Sequence, residues 1–262
     1  MAPAGRPASI IAAGGWHRVS RRNSFLLGWL LALFAAALFT RLGFWQLARM
    51  HEKEAMLAAA HAVVAERVPH PLSLAADATR ASLYDWAAGT GHFTAGPPVL
   101  LDNQSRDERA GVRAYRVFQP DGAGVAPLLV ELGWLPVPGD RTMPAIAPIA
   151  DPRRIDGLLS PPPSGGLGNP VAMPQPNGSL LTITLDLPTL RRALRVPTLA
   201  PRVLKLDPAL PIGYARDLDI LPNTLPPARH LGYAVQWFGL ALTVLITALV
   251  LTLRKPGAHA RP

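Results

Sequence analysis

A segment that begins at His230 carries side chains whose types and spacing could bind a ligand. His230, Tyr233 and Trp237 stand at positions i, i+3 and i+7, which places them on one stripe of a helix. A neutral imidazole can ligate iron, and aromatic rings can pack on a flat macrocycle. Gln236 would lie about 9 Å along the axis from His230, where an amide in apolar surroundings needs a hydrogen-bond partner.

A second segment, far away along the chain, has complementary chemistry. Arg41, Trp45 and Arg49 share a stripe at i, i+4 and i+8, and Gln46 stands beside them. Guanidinium groups pair with carboxylates, so two stripes that face one another suit a flat, apolar, anionic ligand. A hydrogen bond between the two helices is the simplest role for Gln46 and for Gln236. Each of these residue types also has a plainer interpretation, because aromatic rings and arginines anchor any helix at a membrane interface.

Two apolar runs must position these segments. Phe25–Phe39 is free of charge, and the apolar pattern continues past Arg41 to Leu47, so residues 25–47 are long enough to cross a membrane. A cleavable secretory signal is the alternative, but no small-residue cleavage site follows the run. Residues 230–253 include 21 uncharged residues from Tyr233 to Leu253, closed by Arg254 and Lys255. The sequence therefore predicts two transmembrane helices, one near each end.

The net charge of +9 belongs mainly to the two ends of the chain. The tails, residues 1–24 and 254–262, hold arginine and lysine but no acid, and the positive-inside rule places such tails in the cytoplasm. Residues 48–229 then lie outside the cytoplasm. If the source is a bacterium, we expect them to be in the periplasm, next to the inner membrane. A nucleic-acid-binding protein would carry its basic residues on the folded part, so that class is excluded.

The central region is predicted to be a mainly β domain, which makes the fold class α+β with two flanking membrane helices. His51–Glu66 is rich in helix formers and should continue the first helix until Pro69 and Pro71 end it. Short strand-like runs follow, bounded by Gly, Pro, Asn and Asp, and they favour a small open barrel or curled sheet. These runs are Leu83–Phe93, Val99–Asp102, Ala114–Gln119, Leu128–Leu135, Ile155–Leu159, Leu180–Asp186 and Val203–Leu206. Residues 187–195 are predicted to form a short helix, and residues 160–178 a long loop.

Enzymatic signatures are absent from the sequence. It has no Gly-x-Ser-x-Gly elbow, phosphate-binding loop or His-Glu-x-x-His pair, and its seven histidines are scattered. Cysteine is absent, so disulfides are excluded and delivery of copper by thiolates is disfavoured. A membrane-anchored enzyme remains an alternative, with the acids Asp102, Asp107, Glu108 and Glu131 as its candidates.

Five stretches of the chain resemble the Surfeit locus (Surf) family of cytochrome c oxidase assembly proteins. They are Leu42–Arg49 followed by Lys53, then Gly91–Phe93 leading to Val99–Asn103, then Gly111–Pro120, Leu129–Pro136 and His230–Phe238. The first and the last are the most specific in their order and spacing. Glu131 and Leu132 stand where family members usually have Asn-Arg.

The resemblance implies an assembly factor without catalytic turnover that binds haem a, or presents it to the large subunit of the oxidase. His230 matches the candidate axial ligand of the haem iron, while Arg41 and Arg49 would lie near the propionates. Trp45, Gln46, Tyr233, Gln236 and Trp237 would line the pocket, and the apolar tail of haem a would extend into lipid. The implied partners are the oxidase large subunit, haem a synthase and the lipid bilayer. A scaffold that binds oxidase subunits without touching haem is the alternative.

Overall fold

The computed structural model describes residues 21–149, 153–163, 170–221 and 224–254. Three helices and nine strands follow one another along these residues. In chain order they are α1 (Arg21–Glu66), β1 (His70–Pro71), β2 (Asp85–Phe93), β3 (Val99–Arg106), β4 (Arg109–Pro120), β5 (Leu128–Pro136), β6 (Arg153–Ser160), β7 (Met173–Pro174), β8 (Leu180–Thr182), α2 (Leu187–Ala193), β9 (Val203–Leu206) and α3 (Pro227–Leu253). Most of the two predicted cytoplasmic tails, residues 1–20 and 255–262, lies outside the described residues.

Helices α1 and α3 are each long and apolar enough to cross a membrane. Their apolar side chains point mostly outward, and Leu30, Leu31 and Phe34 are each 67% exposed. The core helix of a water-soluble protein would bury such side chains, so this exposure argues that the helices meet an apolar solvent. The predicted pair of apolar helices near the termini is confirmed.

The last turns of α1 are part of the sheet domain. His51–Glu66 continues the first helix, as the sequence predicts, and Val63 and Val64 pack near the buried ring of Trp86. The helix ends at Glu66 because Arg67 adopts a left-handed φ of 48° ahead of Pro69. The guanidinium of Arg67 then pairs with Asp207 at 2.7 Å and lies 4.6 Å from the centre of the Trp86 ring.

The chain divides into two compact units. Within the described residues, the first unit, which we call the helix pair, comprises α1 up to Arg49 and α3 from Ala228. The second unit, the sheet domain, comprises the described part of Met50–Pro227.

The sheet is mixed and curls back on itself. Its strand order is β1-β2-β6-β9-β5-β4-β3-β8-β7, with an additional antiparallel pairing between β2 and β4. That pairing joins Gly91–Phe93 to Phe118–Pro120, so β2, β6, β9, β5 and β4 form a ring. The prediction of a small open barrel or curled sheet agrees with this topology, while its mixture of parallel and antiparallel pairs was not predicted.

Alternating residues of β5 divide the hydrophobic core between the two faces of the sheet. Leu128, Val130 and Leu132 pack in one cluster with Phe118 and Ile155. Leu129, between them in sequence, faces the other way and packs in a cluster with Leu190 of α2. Helix α2 begins where the carboxylate of Asp186 accepts a hydrogen bond from the amide of Thr189.

Several strand boundaries differ from the prediction. Strands β3 and β4 meet at a tight turn in which Asp107 and Glu108 both have left-handed φ angles of 49° and 61°, so both strands are longer than predicted. Strand β8 stops at Thr182 rather than at Asp186, because the hydroxyl of Thr182 donates to the carbonyl of Thr184 and turns the chain. The predicted loop 160–178 contains the two-residue strand β7, while residues 164–169 lie outside the described part.

Candidate functional site in the helix pair

Small residues bring α1 and α3 close together. Ala36 on α1 and Ala234 and Ala241 on α3 are all buried. At Gly43, an added Cβ would lie 2.6 Å from the ring of Phe238, so only glycine allows the ring to sit there without displacement. Small residues at such a contact let two helices pack closely where the surroundings are apolar.

His230 takes part in this contact from the first turn of α3. Its ring is buried, and its Nδ1 lies 2.7 Å from Oε1 of Gln46. An amide oxygen can only accept a hydrogen bond, so the bond requires the proton to be on Nδ1. In the neutral ring Nε2 then carries the lone pair, which is the state in which an imidazole ligates a metal. The bond to Gln46 thus determines which ring nitrogen of His230 carries the proton.

Aromatic side chains line the helix pair in the turns that precede Gln46 on α1 and follow His230 on α3. The rings of Trp237 and Phe39 lie 5.6 Å apart between centroids, with their planes 31° apart. Phe238 packs edge to face on Phe44 at 5.3 Å. Tyr233 and Trp45 keep exposed faces, since they are 37% and 54% exposed. The pair therefore offers large apolar rings beside the histidine.

The side chains of the remaining predicted residues differ in how far they are exposed. Arg41 and Gln236 are exposed, and Arg49 is half-buried. One hydrogen bond between the two helices runs from Nδ1 of His230 to Oε1 of Gln46, while Gln236 lies on the outer surface of α3. Trp237 packs on Phe39 rather than on Trp45.

The donor set fits a haem. It combines one neutral histidine on α3, which has a protonated Nδ1, with several aromatic rings and with two arginines that are both on α1. His230 is only 7% exposed, so a planar ligand would reach Nε2 by displacing the side chains that cover the ring. The position of His230 in the first turn of α3, after Pro226 and Pro227, leaves few backbone hydrogen bonds to break in such an opening.

The acids considered for an enzyme have structural partners. Glu131 is buried, and its carboxylate contacts Arg113, Lys205 at 3.0 Å and the hydroxyl of Tyr115 at 3.1 Å. Burial raises the pKa of Glu131, but the charges of Lys205 and Arg113 outweigh it and hold that pKa below its ordinary value. Burial and the neighbouring carboxylate raise the pKa of Tyr115 well above 10.

The other three acids lie around the turn between β3 and β4. Asp102 pairs with Arg141, and Asp107 lies 3.9 Å from Arg106. Glu108 is exposed in the turn itself. Among the described residues, no three histidine, aspartate or glutamate side chains form a group that could hold a metal ion.

Sequence reasoning missed Phe39 and Lys53 as contributors to the architecture. Phe39 stands seven residues before Gln46 and is thus on the same helix face, a spacing that could have indicated its contact with Trp237. The Nζ of Lys53 donates to the carbonyl of Leu225 at 2.6 Å, within the sheet domain and next to the start of α3. No local signal in the sequence indicates that bond, because the two residues lie 172 positions apart.

Fold and site together define a protein with two long apolar helices near its ends and a mixed sheet domain between them. The model of the SURF1 family matches residues 33–242, from within α1 to within α3, and the chain belongs to that family. Members are known in general as cytochrome oxidase assembly factors, and the family is linked in general to the handling of haem a. No curated protein matches this chain. The resemblance inferred from the sequence is confirmed.

Proposed function

We propose that this protein binds haem a between the helix pair and presents it for insertion into the large subunit of a cytochrome c oxidase, without catalytic turnover. The observation that carries the proposal is the hydrogen bond between His230 and Gln46. Two residues 184 positions apart are joined so that the imidazole has its proton on Nδ1 and its lone pair on Nε2. That arrangement leaves Nε2 as the ring atom that could ligate the iron.

Each nearby side chain has a role in this proposal. His230 would hold the iron through Nε2, and Gln46 would keep the ring in one tautomer and orientation. Tyr233, Trp237 and Trp45 would cover the faces of the macrocycle, while Gln236 would lie at its edge. Arg41 and Arg49 would pair with the propionates. When bound, the haem would supply an iron that accepts a histidine ligand and a flat conjugated ring.

The location follows from the same features. Outward-facing apolar side chains on α1 and α3 support two membrane spans, residues 25–47 and 230–253. With both termini in the cytoplasm, the sheet domain would be periplasmic, at the inner membrane of a bacterium. His230 would then lie near the outer headgroups, where a haem with an apolar tail and charged propionates finds both kinds of surroundings. The oxidase large subunit and haem a synthase would be met at this membrane.

The experiment that tests the proposal is purification of the full chain from cells that also make haem a. We expect an absorbance spectrum of bound haem in the wild type, and loss of that spectrum in His230→Ala. His51→Ala is the matched control, because His51 is exposed on α1, where its ring contacts Glu54, and it should leave the spectrum unchanged. His230→Asn keeps a donor for Gln46 and separates loss of the ligand from loss of the helix contact.

The outcomes distinguish this function from its alternative. A wild-type protein without haem, or a spectrum unaffected by both variants at His230, would contradict the proposal. If the oxidase then co-purifies with His230→Ala and keeps a normal haem content, the protein is a scaffold that acts on oxidase subunits without touching haem.

A further inference from the structure

An open groove runs between α1 and α3 at the end of the helix pair far from His230. It has a volume of about 550 Å³, within the range of small-molecule sites. We call it the interhelical groove. The residues that define it here are Gly28, Ala32 and Ala35 on α1 and Thr243, Val244 and Thr247 on α3.

The groove presents apolar surface although hydroxyl groups line it. The hydroxyl of Thr243 donates to the carbonyl of Gly239 at 2.8 Å, and that of Thr252 to the carbonyl of Ala248 at the same distance. Each threonine thus satisfies its polar group within its own helix and leaves its methyl group to the groove. The indole of Trp29 donates to Thr252 at 3.0 Å and joins the two helices at the far end.

The groove lies on the same lateral face of the helix pair as the residues proposed to cover the haem. On α3, steps of three and four residues connect the aromatic residues to the groove through one stripe: Tyr233, Trp237, Leu240, Val244, Thr247 and Leu251. On α1, the same periodicity connects the groove to the arginine near the haem site: Ser24, Gly28, Leu31, Ala35, Leu38, Leu42, Trp45 and Arg49. Both stripes therefore lead from the proposed haem site at His230 to the interhelical groove.

Dimensions along the helices favour an extended chain rather than a compact ligand. Val244 lies about 10 Å along the axis beyond Trp237, and the groove extends about 16 Å from Ala35 to Ser24. An apolar tail that leaves a macrocycle at Trp237 would enter at Ala35 and end near Trp29.

We propose that the interhelical groove holds the isoprenoid tail of haem a, an inference that rests on the proposed function. The haem site would then recognise two parts of one molecule, the ring at His230 and the tail at Gly28. This differs from the expectation that the tail extends into lipid. It also gives the site a means to distinguish haems with a tail from haem b, which has none.

Gly28 provides a sharp test, because a Cβ added there meets no atom within 4 Å. Gly28→Leu would place a branched apolar side chain in the groove, with a Cβ that displaces no neighbour, and leucine favours a helix more than glycine does. Gly239→Leu is the matched control, since its Cβ also meets open space and Gly239 does not line the groove. The full-length proteins in lipid nanodiscs are titrated with haem o, which has the tail, and with haem b, and the Kd values are measured by absorbance.

We expect Gly28→Leu to weaken haem o binding about tenfold, the equivalent of roughly two buried methylene groups. Haem b binding should remain unchanged, and Gly239→Leu should affect neither haem. Each comparison uses one haem with different proteins, so partition of the haem into lipid cancels.

Three results would overturn the inference. If the wild type binds neither haem o nor haem b, the tail site is wrong, while the spectrum of the protein purified with haem a tests the proposed function separately. If both haems bind but Gly28→Leu leaves the haem o affinity unchanged, only the tail site is wrong. If Gly28→Leu instead releases a co-purifying phospholipid without altering haem o binding, the groove is a site for a lipid chain.

Discussion

The amide oxygen of Gln46 lies 2.7 Å from Nδ1 of His230, across the contact between two helices that are separated by almost the whole sheet domain in sequence. Gln46→Leu removes the acceptor and keeps a side chain of similar length. Loss of the hydrogen bond that orients a metal-binding histidine weakens metal binding about 10- to 100-fold, so we expect a comparable rise in the Kd for haem. Gln236→Leu, at an exposed glutamine on α3, is the control and should change the Kd little.

Gly43 and Phe238 provide a second test, of helix packing. Gly43→Ala places a Cβ at 2.6 Å from the ring, an overpacking that costs about 1–3 kcal/mol. We expect a lower Tm for the full chain in nanodiscs and weaker haem binding. Gly232→Ala serves as the control, because its Cβ meets nothing within 4 Å.

The same contact predicts a rescue. In a Phe238→Leu background, Gly43→Ala should cost less than it does in the wild type, since the ring that it meets is gone. Equal costs in the two backgrounds would show that the Gly43 effect arises elsewhere.

Glu131 predicts a pH dependence of stability in the sheet domain. Its pKa in the folded protein lies below the ordinary value of 4.5, so the folded state favours the ionised form. The stabilisation is complete above the unfolded-state pKa and is lost as the pH falls through the folded-state pKa. Glu131→Gln should lower the free energy of unfolding by about 3 kcal/mol at neutral pH, because it leaves Arg113 and Lys205 buried with less counter-charge.

Denaturant titration of the full chain in detergent micelles, from neutral pH down to pH 3, measures this difference. The gap between wild type and Glu131→Gln should be constant near neutral pH and should narrow below the ordinary pKa of a glutamate. Glu108→Gln, at an exposed glutamate in the turn between β3 and β4, should show no such narrowing. A gap that widens with acid would contradict the assigned direction of the pKa shift.

The carboxylate of Asp85 pairs with two arginines, one buried and one more exposed, so the contribution of burial to an ion pair can be measured there. Arg202 is fully buried and bonds to Asp85 and to the carbonyls of Leu74 and Leu83, whereas Arg80 is partly exposed. We expect Arg202→Met to lower the free energy of unfolding by about 3 kcal/mol, and Arg80→Met to lower it much less. Chemical denaturation measures the free energy of unfolding of the two variants. Equal decreases in that free energy would contradict the argument that the buried arginine contributes more.

The absence of cysteine makes the membrane topology directly measurable. Asp140→Cys, in the exposed turn after β5, should react with a membrane-impermeant maleimide added outside the inner membrane of spheroplasts. Arg254→Cys, after α3, should react only once the membrane is opened. The reverse pattern of labelling would place the sheet domain in the cytoplasm and contradict the positive-inside assignment.

The sequence predicts best where one signal determines the structure. Strand β9 has the predicted bounds, Val203–Leu206, and all four residues are buried, including Lys205, which pairs with Glu131. The turn at Asp107 and Glu108 was missed, since its left-handed φ angles usually belong to glycine or asparagine. Strand β1 was missed because it has two residues, one of them Pro71.

For the candidate site, periodicity predicted which side chains share a face of each helix but not which side chains meet across them. The close approach of α1 to α3 depends on Gly43 of α1 and on the buried Ala234 of α3. Both residues are important because neither has a large side chain. His230 and Gln46 could thus be selected separately by their types. Their bond depends on how far each helix is rotated, which residue spacing alone does not determine.

The ends of the sheet have a consequence for how crowded copies of this protein behave. Within the described strands the outermost members are β1 and β7, each two residues long and each with one proline, which has no amide hydrogen to donate. A strand from a neighbouring molecule therefore finds almost no template on which to add. Copies concentrated in a membrane patch can collide repeatedly without their sheets fusing into aggregates.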